Sequence, residues 1–246
     1  MPATYTGELN IVSTDLTIST VSRRPEPEFQ KARKGILSEF AALGLVHPVR
    51  FFSFPEQRAY TTRLAAALAG LEGFSFQEIQ DADDERMVRR WIPGTRMDEA
   101  LAAGTEVPVE RYLQSLAEAH GHGLFYGDGW PPNLILGAGS HLTRYDIDFI
   151  AEDKEFELAQ ALFYAAWFSR DSSATADRML AFLRATGLLS QYRRPLVTDY
   201  LRNHRARFKD DLFQRLPLPA AMPEDKRTHY ARLDEALATT SLVALE

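Results

Sequence analysis

The side chains best suited to chemistry are two carboxylates and one amide between residues 119 and 150. Asp128 and Asn133 are five positions apart in a loop that contains two prolines, and Asp148 follows an apolar segment typical of a strand. A carboxylate and an amide at this spacing can point into one cleft, and a carboxylate at a strand end can bind a metal ion more strongly. Such oxygen ligands suit Mg²⁺, and phosphoryl transfer needs little else beyond a group that orients the attacking hydroxyl.

This stretch resembles the catalytic and metal-binding loops of protein kinases, of the aminoglycoside phosphotransferase and choline kinase group, and of small atypical bacterial serine/threonine kinases. The matching elements are His120 at a helix end, the run 127–133 (Gly-Asp-Gly-Trp-Pro-Pro-Asn), a predicted hairpin and the run 148–150 (Asp-Phe-Ile). The resemblance implies that Asp128 is the catalytic base and that Asn133 and Asp148 bind Mg²⁺. It also implies ATP as donor and a hydroxyl-bearing small molecule or protein as acceptor.

Two further segments match the same group. The run 88–94 (Val-Arg-Arg-Trp-Ile-Pro-Gly) looks like its hinge strand, which often ends in Pro-Gly. The resemblance implies that the backbone at Trp91 and Ile92 binds the adenine of ATP. Residues 157–159 (Glu-Leu-Ala) resemble the Asp-Leu-Ala that follows the metal loop in that group.

Several of these residues also have a purely structural interpretation. Asp128 can bond its own backbone, as turn aspartates commonly do, and Asn133 can cap the following strand, but the surrounding pattern favours chemistry for both. Asp146 shares a face of the predicted strand with Asp148, and we expect it to be a structural hydrogen-bond acceptor, with a second metal ligand as the alternative. By resemblance, His120 is expected to bond the backbone of the metal loop.

A cation that contacts the phosphates is expected, but the sequence leaves its identity open. Neither a glycine-rich phosphate loop nor a Val-Ala-Ile-Lys strand is present. Lys34, with Glu39 as its partner, is one candidate, and Arg50, with Glu56 as its partner, is the other. Arginine is not equivalent to lysine there, because a planar fork contacts phosphates differently from a point charge.

Three positions depart from the pattern of the family. Tyr126 stands where a histidine usually precedes the catalytic aspartate, Trp130 stands where lysine or histidine is common, and Ile150 replaces the glycine of the metal motif. About seven residues separate Phe149 from the next predicted helix, too few for a phosphorylatable activation loop. These features favour the smaller, constitutively open enzymes over a regulated protein kinase.

Two other functions stay open on the sequence. The missing phosphate loop is compatible with a catalytically weak kinase-like protein that binds nucleotide or a partner, although nothing but metal-dependent chemistry calls for Asp128, Asn133 and Asp148 together. The same fold can also transfer AMP instead of the γ-phosphoryl group.

The elements expected around these residues predict an α+β protein with a protein-kinase-like two-lobed fold. A β-rich N-lobe is expected over 1–90, a hinge over 91–95 and a mainly helical C-lobe over 96–246, all within one domain. Period-two alternation and β-branched runs predict strands over 14–21, 49–54, 74–79, 86–92, 134–136 and 142–145. Helical spacing predicts helices over 31–43, 61–71 and 107–119, with about four more from Glu157 onward.

Composition narrows the class of protein. The net charge of -6 gives no electrostatic reason to expect nucleic acid or an anionic membrane as partner. The absence of cysteine excludes disulfides, thiolate zinc sites and cysteine nucleophiles. No run approaches the roughly 18 apolar residues of a membrane span, and no secretory signal is recognised, so the expected compartment is the cytoplasm.

Overall fold

The computed structural model describes residues 3–6, 10–14, 18–127, 129–207, 222 and 226–239. The predicted base, Asp128, lies outside the described residues. Within them, strands and helices alternate before residue 91, and helices dominate after residue 96. The predicted α+β class, with a small β-rich part followed by a mainly helical part, is confirmed.

An antiparallel five-stranded sheet forms most of the N-terminal part. Its strands are β1 (Ala3–Thr6), β2 (Asn10–Thr14), β3 (Ile18–Arg23), β6 (Ile79–Ala82) and β7 (Arg86–Arg90), in the order β1-β2-β3-β7-β6. The single strand predicted over 14–21 is wrong, because Thr14 ends β2 and pairs with Ser19 of β3. Both strands are rich in Ile, Val, Ser and Thr, so the composition does not reveal the boundary between them.

Two helices follow β3. They are α1 (Glu26–Ala42) and, after the short strand β4 (Val49–Phe51), α2 (Phe54–Ala67). The start of α2 differs from the predicted Thr61 because Ser53 and Glu56 form a capping box, in which each side chain accepts a hydrogen bond from the backbone N–H of the other. The helix therefore begins at Phe54, and the strand predicted over 49–54 ends earlier, at Phe51.

Two smaller sheets join chain segments from both sides of the hinge. The strands β5 (Phe74–Phe76), β8 (Thr95–Arg96), β9 (Leu134–Leu136) and β10 (Leu142–Arg144) lie in the order β5-β10-β9-β8, and β11 (Phe149–Ala151) pairs with β4. The strand predicted over 74–79 is thus divided between two sheets. The strands β4 and β5, which precede the predicted hinge, thus pair with strands that follow it. The lobe boundaries at residues 90 and 95 stay a prediction.

The helical part is built around a central buried helix. Its helices are α3 (Met97–Ala102), α4 (Val109–Gly121), α5 (Lys154–Phe168), α6 (Ser172–Ala185), α7 (Arg194–Arg207) and α8 (Lys226–Thr239). Every residue of α5 except Lys154 is buried, including Glu155, Glu157 and Gln160, so these polar side chains need partners inside the protein. It begins before the predicted Glu157 because the Asp153 carboxylate caps it, accepting a hydrogen bond from the Phe156 N–H at 2.9 Å. None of the described helices has the length and apolarity that a bilayer crossing requires.

Candidate active site

Two side chains of α5 hold the predicted catalytic loop. The Glu157 carboxylate accepts hydrogen bonds from the backbone N–H groups of Tyr126 (3.0 Å) and Gly127 (2.6 Å). Gln160, three residues further along α5, accepts one from the Gly129 N–H at 3.2 Å. Residues at this spacing share a helix face. The backbone on both sides of the predicted base is therefore fixed to one buried helix.

His120 supports the same carboxylate from the other side. Its Nε2 lies 2.9 Å from Glu157 Oε2, and its Nδ1 lies 2.9 Å from the Tyr192 hydroxyl. The side chains of His120 and Glu157 are 1% and 0% exposed. Burial and the nearby Glu157 raise the pKa of Tyr192, so its phenol stays protonated and can donate to Nδ1. His120 therefore acts on the catalytic loop through Glu157, where the sequence led us to expect a bond to the backbone of the metal loop.

Two glycines let the catalytic loop approach other backbones closely. Gly127 has φ +89°, and a Cβ there would lie 1.8 Å from the Phe149 carbonyl oxygen. A Cβ at Gly129 would lie 2.4 Å from the Ala161 nitrogen of α5. No side chain fits at either position without moving backbone. The catalytic loop therefore lies directly against the strand that follows the metal loop.

The predicted metal loop is fixed through both its backbone and its carboxylate. The Asp148 carbonyl oxygen accepts a hydrogen bond from the Phe52 N–H at 2.9 Å, and Asp148 Oδ1 accepts one from Gln57 Nε2 at 3.3 Å. Asn133 ends a short 3-10 turn over 131–133, and its carbonyl oxygen accepts a hydrogen bond from the Tyr145 N–H at 3.0 Å. The structure thus brings the segment of Asn133 next to the one that leads into Asp148.

The oxygen atoms of this region suit a magnesium ion. Asn133 supplies an amide oxygen and Asp148 a carboxylate, both on half-buried residues. Among the residues that the structure describes, no group of three or more His, Cys, Asp or Glu side chains is placed to bind a metal ion. Mg²⁺ commonly uses one or two carboxylates together with water and substrate phosphates rather than an all-protein cage, so the donor set fits it.

Asp146 pairs with a buried arginine. Its Oδ1 lies 3.5 Å from Nη1 of Arg89, whose side chain is 3% exposed. Asp146 also has a left-handed φ of 63°, and β10 ends at Arg144. The regular alternation predicted through Asp148 is therefore wrong, because a strand residue does not adopt this conformation.

The two cations proposed from the sequence lie in different environments. Lys34 is exposed on α1, and Glu39, its proposed partner, lies 3.7 Å from Arg207. Arg50 does pair with Glu56, with Nη2 and Oε1 at 2.8 Å, although both side chains are largely exposed. Arg50 lies opposite a residue of β11 in the β4–β11 pair, so it is the one of the two that lies beside the metal loop.

Arg23, at the end of β3, is a cation that the sequence analysis missed. Its guanidinium lies 4.7 Å from the ring centroids of both Phe29 and Phe54 and donates to the Phe52 carbonyl oxygen at 2.5 Å. Burial lowers the pKa of Arg23, and attraction to Asp148 opposes that shift. Arg23 is therefore a positive charge within electrostatic reach of the predicted metal ligand. The signal in the sequence was an arginine that follows a run of Ser, Thr, Ile and Val residues, two positions before Pro25.

The predicted hinge lies against β9. Trp91 and Ile92 follow β7 and are half-buried. Gly94 has φ +147°, and a Cβ there would lie 2.4 Å from the Leu136 carbonyl oxygen. Glycine is thus required at this close approach, which explains the Pro-Gly end of the segment.

Trp130 packs on α5. Its ring centroid lies 4.7 Å from that of Tyr164 and 5.2 Å from that of Phe168, in both cases edge to face. Two other residues of the site, Gln57 and Gln160, were not singled out from the sequence. For Gln160 the available signal was a polar residue three positions after Glu157, before a run of apolar residues.

Comparison with known proteins gives similarity to solved structures only. No protein-family model and no curated protein matches the chain. An erythromycin complex of a protein from Mycobacterium tuberculosis is 16% identical, with a TM-score of 0.43 over 96% of this chain and 72% of that chain. A choline/ethanolamine kinase family protein from Mesorhizobium loti is 13% identical, with a TM-score of 0.44 over 99% and 90% of the two chains.

An ADP-bound aminoglycoside phosphotransferase, APH(2'')-Ib, is 11% identical, with a TM-score of 0.44 over 99% of this chain and 94% of that chain. A choline/ethanolamine kinase family protein and an aminoglycoside phosphotransferase are thus among the structures to which this chain is similar.

Proposed function

We propose that this protein is an ATP- and Mg²⁺-dependent phosphotransferase that moves the γ-phosphoryl group to a hydroxyl of a small molecule or a protein. The observation that supports this most directly is the contact of Gly127 with Phe149. Gly127 precedes Asp128 and Phe149 follows Asp148, so this contact joins the loop of the proposed base to the loop of the proposed metal ligand. Phosphoryl transfer depends mainly on positioning a base and a metal ligand around one phosphate group, and this contact favours that arrangement.

The proposal gives each site residue one role. Asp128 orients the acceptor hydroxyl and takes its proton as general base. Asn133 and Asp148 bind the metal ion through their amide and carboxylate oxygens, and the backbone at Trp91 and Ile92 binds the adenine. Mg²⁺, when bound, neutralises charge on the phosphates. The protein contributes mainly a fixed arrangement of oxygens, as the buried Glu157–His120 pair suggests.

The site that binds the acceptor hydroxyl is proposed to be open, with no activation loop over it. Only residues 150–153 separate Phe149 from the first residue of α5, fewer than the sequence indicated. A segment this short cannot form a phosphorylatable activation loop. The proposal therefore includes small-molecule acceptors and protein acceptors, but no switching by phosphorylation of such a loop.

A protein that binds nucleotide or a partner with little activity is the second candidate. The observation that favours it is that the Arg23 guanidinium already has partners within the protein. It packs against the rings of Phe29 and Phe54 and donates to the Phe52 carbonyl oxygen. A guanidinium held in this way is less free to turn towards phosphates than a lysine ammonium on its flexible stem.

Labelled ATP separates these possibilities. With Mg²⁺ and γ-labelled ATP, the proposal expects label on an acceptor or slow release of phosphate, lost in Asp148→Asn and kept in the control Asp177→Asn, an exposed residue of α6. Unchanged turnover in Asp148→Asn would refute the site. Stabilisation of the fold by ATP with Mg²⁺, without transfer, would favour the second candidate, and label transferred from the α-phosphate would indicate AMP transfer.

A further inference from the structure

Helix α2 contacts both loops of the proposed centre through one face. Its buried residues are Phe54, Gln57, Tyr60, Thr61 and Leu64. Gln57 and Tyr60 are three positions apart, so their side chains leave the helix on the same side. Each makes a polar contact with a different loop.

Gln57 contacts the metal loop. Its Nε2 donates to Asp148 Oδ1 at 3.3 Å, and the residue is 2% exposed. The neutral amide fixes the orientation of the Asp148 carboxylate and leaves its negative charge intact. A cation in the same place would cancel that charge. The contact therefore limits how the carboxylate of the proposed metal ligand can turn.

Tyr60 contacts the catalytic loop. Its hydroxyl donates to the Phe125 carbonyl oxygen at 3.1 Å and accepts from the Phe125 N–H at 2.7 Å. Burial raises the pKa of Tyr60 to about 12, so the hydroxyl keeps its proton at neutral pH. One side chain of α2 thus binds both backbone groups of a single residue, three positions before Asp128.

We propose that Gln57 and Tyr60 are positioning residues through which α2 aligns the metal loop with the catalytic loop. Gln57 orients the Asp148 carboxylate, and Tyr60 fixes the position of the Phe125 backbone, which leads to Asp128. The catalytic consequence rests on the proposed function, whereas the alignment is a property of the fold.

The variant Gln57→Met tests the metal side, because methionine keeps the length of the side chain and removes the donor. Isothermal titration of ATP at graded Mg²⁺ concentrations is expected to show that about tenfold more Mg²⁺ is needed for half-maximal binding, with metal-free ATP binding unchanged. The matched control is Thr61→Val, which removes a buried hydroxyl from the same face of α2. A Gln57→Met protein with the Mg²⁺ dependence of the control would overturn the role of Gln57.

The variant Tyr60→Phe tests the catalytic side. We expect kcat to fall about tenfold through misplacement of the loop, with an unchanged Mg²⁺ requirement. We also expect the Phe125 amide to exchange its hydrogen roughly five- to tenfold faster, since it loses its acceptor. An unchanged Phe125 exchange rate would refute the contact, and an unchanged kcat would refute its importance for positioning.

These readouts separate the inference from the proposed function. If the wild-type protein binds ATP with Mg²⁺ but transfers no phosphoryl group, two measurements still test the inference. They are the Mg²⁺ dependence of ATP binding in Gln57→Met and the Phe125 exchange rate in Tyr60→Phe. Wild-type protein that binds no Mg²⁺ with ATP refutes the proposed function and the role of Gln57 together, and the Phe125 exchange rate then decides the role of Tyr60 alone.

Discussion

Gly127 and Phe149 are in contact so close that a Cβ on Gly127 would lie 1.8 Å from the Phe149 carbonyl oxygen. Gly127 precedes the proposed base, and Phe149 follows the proposed metal ligand Asp148. The two loops therefore share one backbone contact that admits no side chain, and the distance between them is set at that point.

Gly127→Ala is expected to destabilise the protein by about 2–5 kcal/mol, because it adds a steric overlap to the cost of a positive φ. Gly123→Ala is the matched control, since Gly123 has φ +65° in the same loop with nothing within 4 Å of its Cβ position. The control should cost about 1 kcal/mol. Urea unfolding measures both, and equal losses would show that the contact with Phe149 is unimportant.

Glu157→Gln is expected to lower kcat about 100-fold, because an amide cannot accept all the hydrogen bonds that the carboxylate accepts from Tyr126, Gly127 and His120. Glu155→Gln provides the comparison. Glu155 is a buried carboxylate of the same helix, paired with Arg193, and contacts neither loop in any described hydrogen bond. Steady-state kinetics should show near wild-type kcat for Glu155→Gln; equal losses in both variants would point to general damage to α5.

The stability of the protein should depend on pH through His204. Burial lowers the pKa of His204 to about 4, from 6.5, and its Nδ1 lies 2.7 Å from the Tyr200 carbonyl oxygen. Between pH 6.5 and pH 4 the unfolded chain therefore binds more protons at His204 than the folded protein does. The free energy of unfolding has its full value above about pH 6.5, as far as His204 is concerned, and falls as the pH falls towards 4. The loss amounts to roughly 3 kcal/mol.

Unfolding free energies at pH 7.5 and pH 5 measure this dependence. His204→Gln should flatten it, whereas the control His122→Gln, at an exposed histidine, should leave it unchanged. A His204→Gln protein with the wild-type slope would assign the pH dependence to other groups.

Three variants identify the cation of the nucleotide site. Arg23→Met is expected to weaken binding of ATP with Mg²⁺ by about tenfold or more, because it removes a positive charge that attracts the phosphates beside the proposed metal ligand Asp148. Lys34→Met should have no effect, since Lys34 is exposed on α1. Arg50→Met should have a smaller effect than Arg23→Met, because Arg50 is largely exposed and paired with Glu56. Calorimetric titration that ranks Lys34→Met first would contradict this order.

The sequence predicted the helical part of the molecule better than the N-terminal part. The helix ending near His120, the hairpin over 134–144 and the buried α5 follow from local apolar patterns, and each is present. The start of α2 was missed because a capping box over Ser53 and Glu56 has more influence there than the apolar pattern that begins at Thr61.

The contacts that assemble the candidate site were harder to predict. Gln57 and Asp148 are far apart in the chain, and no local pattern marks a glutamine as the partner of a distant carboxylate. Arg23 was missed for a related reason, because its importance comes from its place beside Asp148 and not from the residues next to it. The assignment of Asp128 stays a prediction.

The pairing of β4 with β11 has a consequence for inhibitor design. Phe149 and Ile150 are bonded into a strand pair with Phe51 and Arg50, and the Asp148 carbonyl oxygen is bonded to the Phe52 N–H. A compound that binds by turning the metal loop outward has to break these backbone bonds, without a glycine at position 150 to ease the rotation. We therefore expect screening to yield compounds that occupy the nucleotide cleft with this loop in place, and few that displace it.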